Sequence, residues 1–221
     1  MNKNFSFIKS LFTGDIVNKA IFPYPELSKE EIDSINMKLD SVLLAFDKFQ
    51  PEKLYTEEDL DIAKKMGLLG LLIPGKYKGY NFNYKMYAVM IKYLYSRLPS
   101  LAISMGIYQS PCINALMKYG TETQKSSYLP KLSTGEYISG YALYEDDYRD
   151  NLSKLSSIEK TIANPSTSAI GDFDNKHYVL KGEKSIINAV DTNLFFVFAR
   201  TSAGLSCFIV EKSMGIEYIN E

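Results

Sequence analysis

A chain of 221 residues, 46% hydrophobic and 23% charged, is long enough to bury a core and too balanced in composition for a disordered segment. A formal net charge of -1 excludes the broad basic face that general nucleic-acid binding requires. The longest apolar run, PSLAISMGIYQSPCINALM, is broken by Gly106, Gln109, Ser110 and Pro111, so nothing reaches the roughly 20 residues of a membrane span and the chain reads as soluble and globular.

The start, MNKNFSFIKSLF, has neither the apolar core of a signal peptide nor the Arg- and Ser-rich length of a transit peptide. From Ser28, SKEEIDSINMKLDSVLLAFDKF opens with a capping box, Ser28 and Glu31, and predicts a helix. Ile32, Ile35, Leu39, Val42, Phe46 and Phe49 form its apolar stripe. A second helix is expected from Thr56, with Glu57, Glu58 and Asp59 at the positive end of its dipole, ending near Gly67. LLGLLIPGKYKGYNFN, punctuated by Gly67, Gly70, Pro74, Gly75 and Gly79, predicts an ordered loop crossing the helical layer.

YKMYAVMIKYLYSRL is amphipathic, and residues 101–116 are apolar nearly all round, as a central helix kinked at Pro111 would be. The expected core of the bundle includes Ile35, Leu39, Val42, Leu101, Ile103 and Leu116. Thr121 and Gln124 make a further capping box, and Pro130 is expected to stop the short helix TETQKSSYL. Cys112 and Cys207, in the apolar runs SPCINAL and SCFIVE, read as small buried hydrophobes of a reducing compartment rather than a disulfide.

Near Tyr137 the period changes. YISGYALY, HYVLKGEKSII, NLFFVFAR and LSCFIVEK are short, β-branched and aromatic, and predict strands. Residues 146–174 are polar and pattern-poor, either a long loop or a weak strand. Helices followed by strands predict an α+β fold, with a helical bundle at 1–136 and a small barrel-like β domain at 137–221 that is incomplete.

The residues alone offer little chemistry. His177 is the one histidine and reads as an exposed residue at a strand start. No zinc spacing, Cys/His pair, Ser/His/Asp triad, GxGxxG or GxxxxGK is present, which argues against hydrolases and the common phosphate loops. Glu145, Asp146, Asp147 and Asp150 are either a cation site or a solvated acidic loop.

YGTETQKSSYLPKLSTGEYISGYAL is similar in order and spacing to the stretch by which acyl-CoA dehydrogenases leave their helical domain. KKMGLLGLLIPGKYKGY resembles that family's interhelical loop, and HYVLKGEKSIIN and LFFVFAR resemble its β domain. FSFIKSLFTGDIVNKAIFPYP resembles the leader of the very-long-chain branch and its paralogue in respiratory complex I assembly. The resemblance implies FAD as cofactor, a fatty acyl-CoA as substrate and α,β-dehydrogenation in β-oxidation. It also implies a mitochondrial setting, with peripheral association with the inner membrane. The family's catalytic base belongs to a carboxy-terminal helical domain beyond these residues, so no catalytic residue is expected here.

The flavin-contact segments implied by the resemblance are Tyr141, Ala142, Leu143, Tyr144 and Glu145, then Ile186, Ile187 and Asn188, with Asp150 on the substrate side. Both depart from pattern. Where the family reads Thr-Glu-Pro and Gly-Ser-Asp, this chain has Tyr144, Glu145, Asp146 and Arg149, Asp150, Asn151. Where it reads Trp-Ile-Thr/Ser, this chain has Ile186, Ile187, Asn188, and it contains no tryptophan. Four carboxylates from Glu145 to Asp150 against one Arg149 are expected to repel the flavin pyrophosphate. These changes predict that the polypeptide alone neither holds FAD nor oxidises an acyl-CoA, and they leave a scaffold or assembly partner, or a truncated product, as alternatives. An uncovered apolar patch and self-association, or a protein partner, are also expected.

Overall fold

The computed structural model describes residues 26–46, 55–143, 145, 166–171, 177–184 and 192–217. Phe49, Tyr144, Asp146, Asp147, Arg149, Asp150, Asn151, Ile186, Ile187 and Asn188, all named above, lie outside the described residues.

Helix α1 (Lys29–Ala45) starts as its capping box requires: Glu31 N donates to Ser28 Oγ at 3.2 Å and Ser28 N to Glu31 Oε2 at 2.8 Å. Ile35, Leu39, Val42 and Phe46 are buried, whereas Ile32 is 43% exposed, so the stripe enters the core only after its first turn. Helix α2 (Glu57–Lys65) is capped by Thr56 and Asp59 in the same reciprocal way, and the chain then turns at Gly67 in a left-handed conformation. The loop that follows is ordered by its own backbone. Tyr80 N donates to Gly70 O, Asn81 N to Ile73 O and Phe82 N to Leu71 O, which closes the loop on itself and buries Leu68, Leu69, Leu71, Ile73 and Tyr77.

Helix α3 (Tyr84–Arg97) is capped by the Asn83 side chain and buries Met86, Met90 and Leu94. Glu31 accepts from Asn83 Nδ2 and from Lys85 Nζ, fastening the start of α1 to the start of α3. Helix α4 (Pro99–Tyr119) runs through Pro111 and buries Leu101, Ala102, Met105, Cys112, Ile113 and Leu116. Ile103 does not belong to the core. It is 49% exposed, because two positions on from Leu101 the helix has turned about 200°, to the opposite face. An apolar surface in the sequence carries no information about which side is covered.

Helix α5 (Glu122–Thr134) begins at the Thr121–Gln124 box, but Pro130 does not stop it. The proline removes one backbone donor, and the last turn is held instead by burial of Leu129 and Leu132 and by Ser133 Oγ, which donates to Lys78 O at 2.7 Å. The stop comes at Gly135, whose φ of 75° a residue with a Cβ adopts only under strain.

The five strands are β1 (Ser139–Ala142), β2 (Ser168–Gly171), β3 (Tyr178–Lys181), β4 (Leu194–Thr201) and β5 (Gly204–Glu211). Strands β1 and β3 fall within the predicted segments, β4 and β5 overrun theirs by one residue each, and β2 is the weak strand in the pattern-poor stretch. The order is β1-β4-β2-β3, with β5 also on β4. Pairs β1–β4 and β2–β4 are parallel; β2–β3 and the hairpin β4–β5 are antiparallel. Among the described residues this mixed sheet is not closed, and the fold is α+β. Cys112 is buried as expected, but Cys207 is exposed: its run lies on β5, which has β4 as its one strand neighbour among the described residues.

One cluster of buried side chains fills the space among α1, α2, the loop, α3 and α4. A second is assembled from Ile73 and Tyr77 of the loop, Cys112, Ile113 and Leu116 of α4, Leu129 and Leu132 of α5, and Leu194 and Phe196 of β4. The sheet is thereby packed directly on the helices. At the margin of this contact Glu211, at the end of β5, accepts from the hydroxyls of both Tyr128 and Tyr137 at 3.2 Å.

Candidate functional site

Strand β1 runs out of the joint core toward the segment in which the resemblance places flavin contacts. Tyr141 stacks edge-on against Phe198 of β4, with ring centroids 5.1 Å apart, and Ala142 is buried. Leu143 follows the strand and Glu145 ends this described stretch.

Glu145 is buried, and so is the side chain of its partner Lys184. Glu145 Oε1 accepts from Thr167 N at 2.9 Å, Thr167 Oγ1 at 2.7 Å and Lys184 Nζ at 2.7 Å; its Oε2 accepts from Ser166 N at 2.9 Å and from the Ser166 hydroxyl. Lys184 Nζ also donates to Leu143 O at 3.2 Å. Burial works against the carboxylate's charge, but the ammonium of Lys184 and the donors of Ser166 and Thr167 outweigh it, and the carboxyl is held well below the usual carboxylate range. Three stretches converge here: the end of β1, the two residues before β2, and the turn after β3. Gly182 makes the approach possible, since at its φ of 148° a Cβ would stand 2.6 Å from Thr167 Oγ1 and 2.7 Å from Thr167 Cα.

Of the residues assigned to the flavin, then, Tyr141, Ala142, Leu143 and Glu145 are brought together at the end of β1. The expectation that Glu145 adds negative charge toward a pyrophosphate is corrected by this geometry. Its charge is turned inward and neutralised by Lys184. With its oxygens filled by N–H, O–H and ammonium donors, Glu145 is no cation ligand, and the same arrangement denies it a role as proton acceptor. Lys184, Ser166 and Thr167 were not singled out by sequence reasoning. No sequence signal set Lys184 apart, since the run KGEKSII also carries Lys181 and Glu183, both exposed. His177 is exposed at the start of β3, as read from the sequence.

Residues 42–136 match the family described as acyl-CoA dehydrogenase, N-terminal domain. This stretch is an acyl-CoA dehydrogenase amino-terminal domain. The mitochondrial very long-chain specific acyl-CoA dehydrogenase of Macaca fascicularis is 27% identical over 228 residues, which covers 95% of this chain and 33% of that protein. The mitochondrial isovaleryl-CoA dehydrogenase of Pongo abelii is 32% identical over 158 residues, covering 67% of this chain and 34% of its own length. Among solved structures, an acyl-CoA dehydrogenase from Bacillus anthracis complexed with FAD is 27% identical, with a TM-score of 0.65 over 89% of this chain and 33% of that one. The butyryl-CoA dehydrogenase of Megasphaera elsdenii, at 22% identity and a TM-score of 0.65, shares the fold. The chain spans about a third of the length of the curated acyl-CoA dehydrogenases it matches.

Proposed function

We propose that this chain supplies the helical and β parts of a flavin-dependent acyl-CoA dehydrogenase that acts on long-chain fatty acyl-CoA in the mitochondrion. In this reading residues 1–136 are the helical domain and residues 137–221 the β domain. The likeness to the very long-chain enzyme along 95% of the sequence supports a long acyl chain. The observation that carries the flavin is the buried ion pair at the end of β1. It ties Leu143 and Glu145 to one ammonium and neutralises the one described charge of the acidic run 145–150.

In this reading Tyr141, Ala142 and Leu143 would help to hold FAD, and the flavin would supply the hydride acceptor for the substrate's Cβ. Glu145 is committed to its five donors and would orient rather than react, and in this reading the base for the α proton would be supplied from elsewhere.

The second reading is a non-catalytic descendant that keeps the fold as a scaffold or assembly partner, by itself or at the inner membrane. Ile186 in place of a ring-stacking tryptophan and Tyr144 in place of a small hydroxyl favour it. One experiment separates the two. The purified full chain is reconstituted with FAD, desalted, and given palmitoyl-CoA with a dye acceptor. A retained visible flavin band supports the flavoprotein over the scaffold, dye bleaching would show that these residues include a working base, and a colourless protein that stays so overturns flavin binding by this chain and favours the scaffold.

A further inference from the structure

We propose that Lys184 is a positioning residue for the flavin: by holding the carbonyl of Leu143 and the carboxylate of Glu145 on one ammonium, it sets where the end of β1 meets the cofactor. This inference rests on the flavoprotein reading above and extends it to a residue that contacts no ligand itself.

The geometry is specific. Lys184 Nζ lies 3.2 Å from Leu143 O and 2.7 Å from Glu145 Oε1, so the residues on both sides of position 144 are tied to the same atom. The side chains of Lys184 and Glu145 are 7% and 8% exposed, which excludes the water that would otherwise compete for these bonds. Lys184 also stands two residues before Ile186 in the sequence. Within the described residues, one ammonium thus ties Leu143 and Glu145 of the 141–145 stretch that the family resemblance assigns to the cofactor. A buried ion pair is a weak source of stability, because the cost of desolvating two charges offsets most of their attraction. An apolar pair of the same volume would hold three segments together as well. Direction is what the ion pair adds, since hydrogen bonds from an ammonium fix both the distance and the orientation of a carbonyl that apolar contact leaves free to slide.

The test compares the wild-type full chain with Lys184→Met, Lys184→Gln and Tyr128→Phe, measuring FAD affinity by quenching of flavin fluorescence and stability by thermal melting. Tyr128→Phe removes a hydroxyl bond to Glu211 at the helix–sheet contact and serves as the stability control. Lys184→Met is expected to weaken FAD binding by about tenfold or more, the scale seen when a group that orients a ligand's direct contact is removed. Tyr128→Phe lowers the melting temperature without changing FAD affinity. If Lys184→Met does not fold, Lys184→Gln, a shorter and uncharged side chain that removes the ammonium shared by Glu145 and Leu143, carries the same expectation. Wild-type protein that binds FAD while the folded Lys184 variant binds it equally well overturns this inference alone. An affinity loss that simply follows melting temperature in all variants, Tyr128→Phe included, does the same. Wild-type protein that binds no FAD overturns the flavoprotein reading and takes this inference with it.

Discussion

Burial alone would raise the pKa of Glu145, and the side chain stays ionised because four N–H and O–H donors and one ammonium are aimed at it. Its carboxyl titrates below its unfolded value, which lies near 4.3. A carboxyl depressed in the folded state contributes stability above the unfolded pKa and loses it as pH falls through and below that value. Chemical denaturation between about pH 6 and pH 3 should therefore show stability falling with acid below about pH 4.3. In Glu145→Gln that acid-sensitive part disappears, and the variant is already less stable by about 3–5 kcal/mol at neutral pH, because Lys184 is left buried without its counter-charge. An unchanged acid limb in Glu145→Gln would contradict the assignment. Gly182→Ala tests the same junction from its backbone. The new methyl group meets Thr167 at a φ of 148°, so a loss of about 2 kcal/mol or more is expected in urea unfolding.

At the scale of elements, three helices start with a reciprocal capping box: Ser28 with Glu31, Thr56 with Asp59, Thr121 with Gln124. Two of these boxes and the Thr56 start were readable directly, because a cap uses side chains and amides three residues apart and needs nothing from the rest of the molecule. Thr121→Ala should cost about 1 kcal/mol by loss of the bond to Gln124 N, visible as a lower denaturation midpoint with an unchanged slope. The end of the same helix was misread for the complementary reason. Pro130 carries a local penalty that tertiary contacts of Leu129, Leu132 and Ser133 override, and only the packed structure shows that they do.

For the molecule as a whole, the decisive feature is that the second cluster of buried side chains draws on helices, loop and strand together. Phe196, 2% exposed, reaches from β4 into a site lined by α4 and α5. Phe196→Ala should lower stability by about 3–5 kcal/mol. Far-ultraviolet circular dichroism and tyrosine fluorescence should then lose helix and sheet signals in one shared transition. Separate transitions for the two parts would show that the cluster does not couple them.

The sequence by itself determined the helix starts, the order of helices before strands, the ordered loop with its glycines, and the likeness to acyl-CoA dehydrogenases. These rest on spacings of three and four residues, on alternation, and on linear motifs, all of which survive without knowledge of neighbours. Tertiary structure alone decided which side of α4 is covered, leaving Ile103 outside and Leu101 within, and it exposed Cys207 on its strand. It also decided the meaning of Glu145. In the sequence that residue begins an acidic run; in the fold it is the neutralised centre of a junction whose partners lie 21 to 39 positions away, and no local pattern records a pairing across that distance.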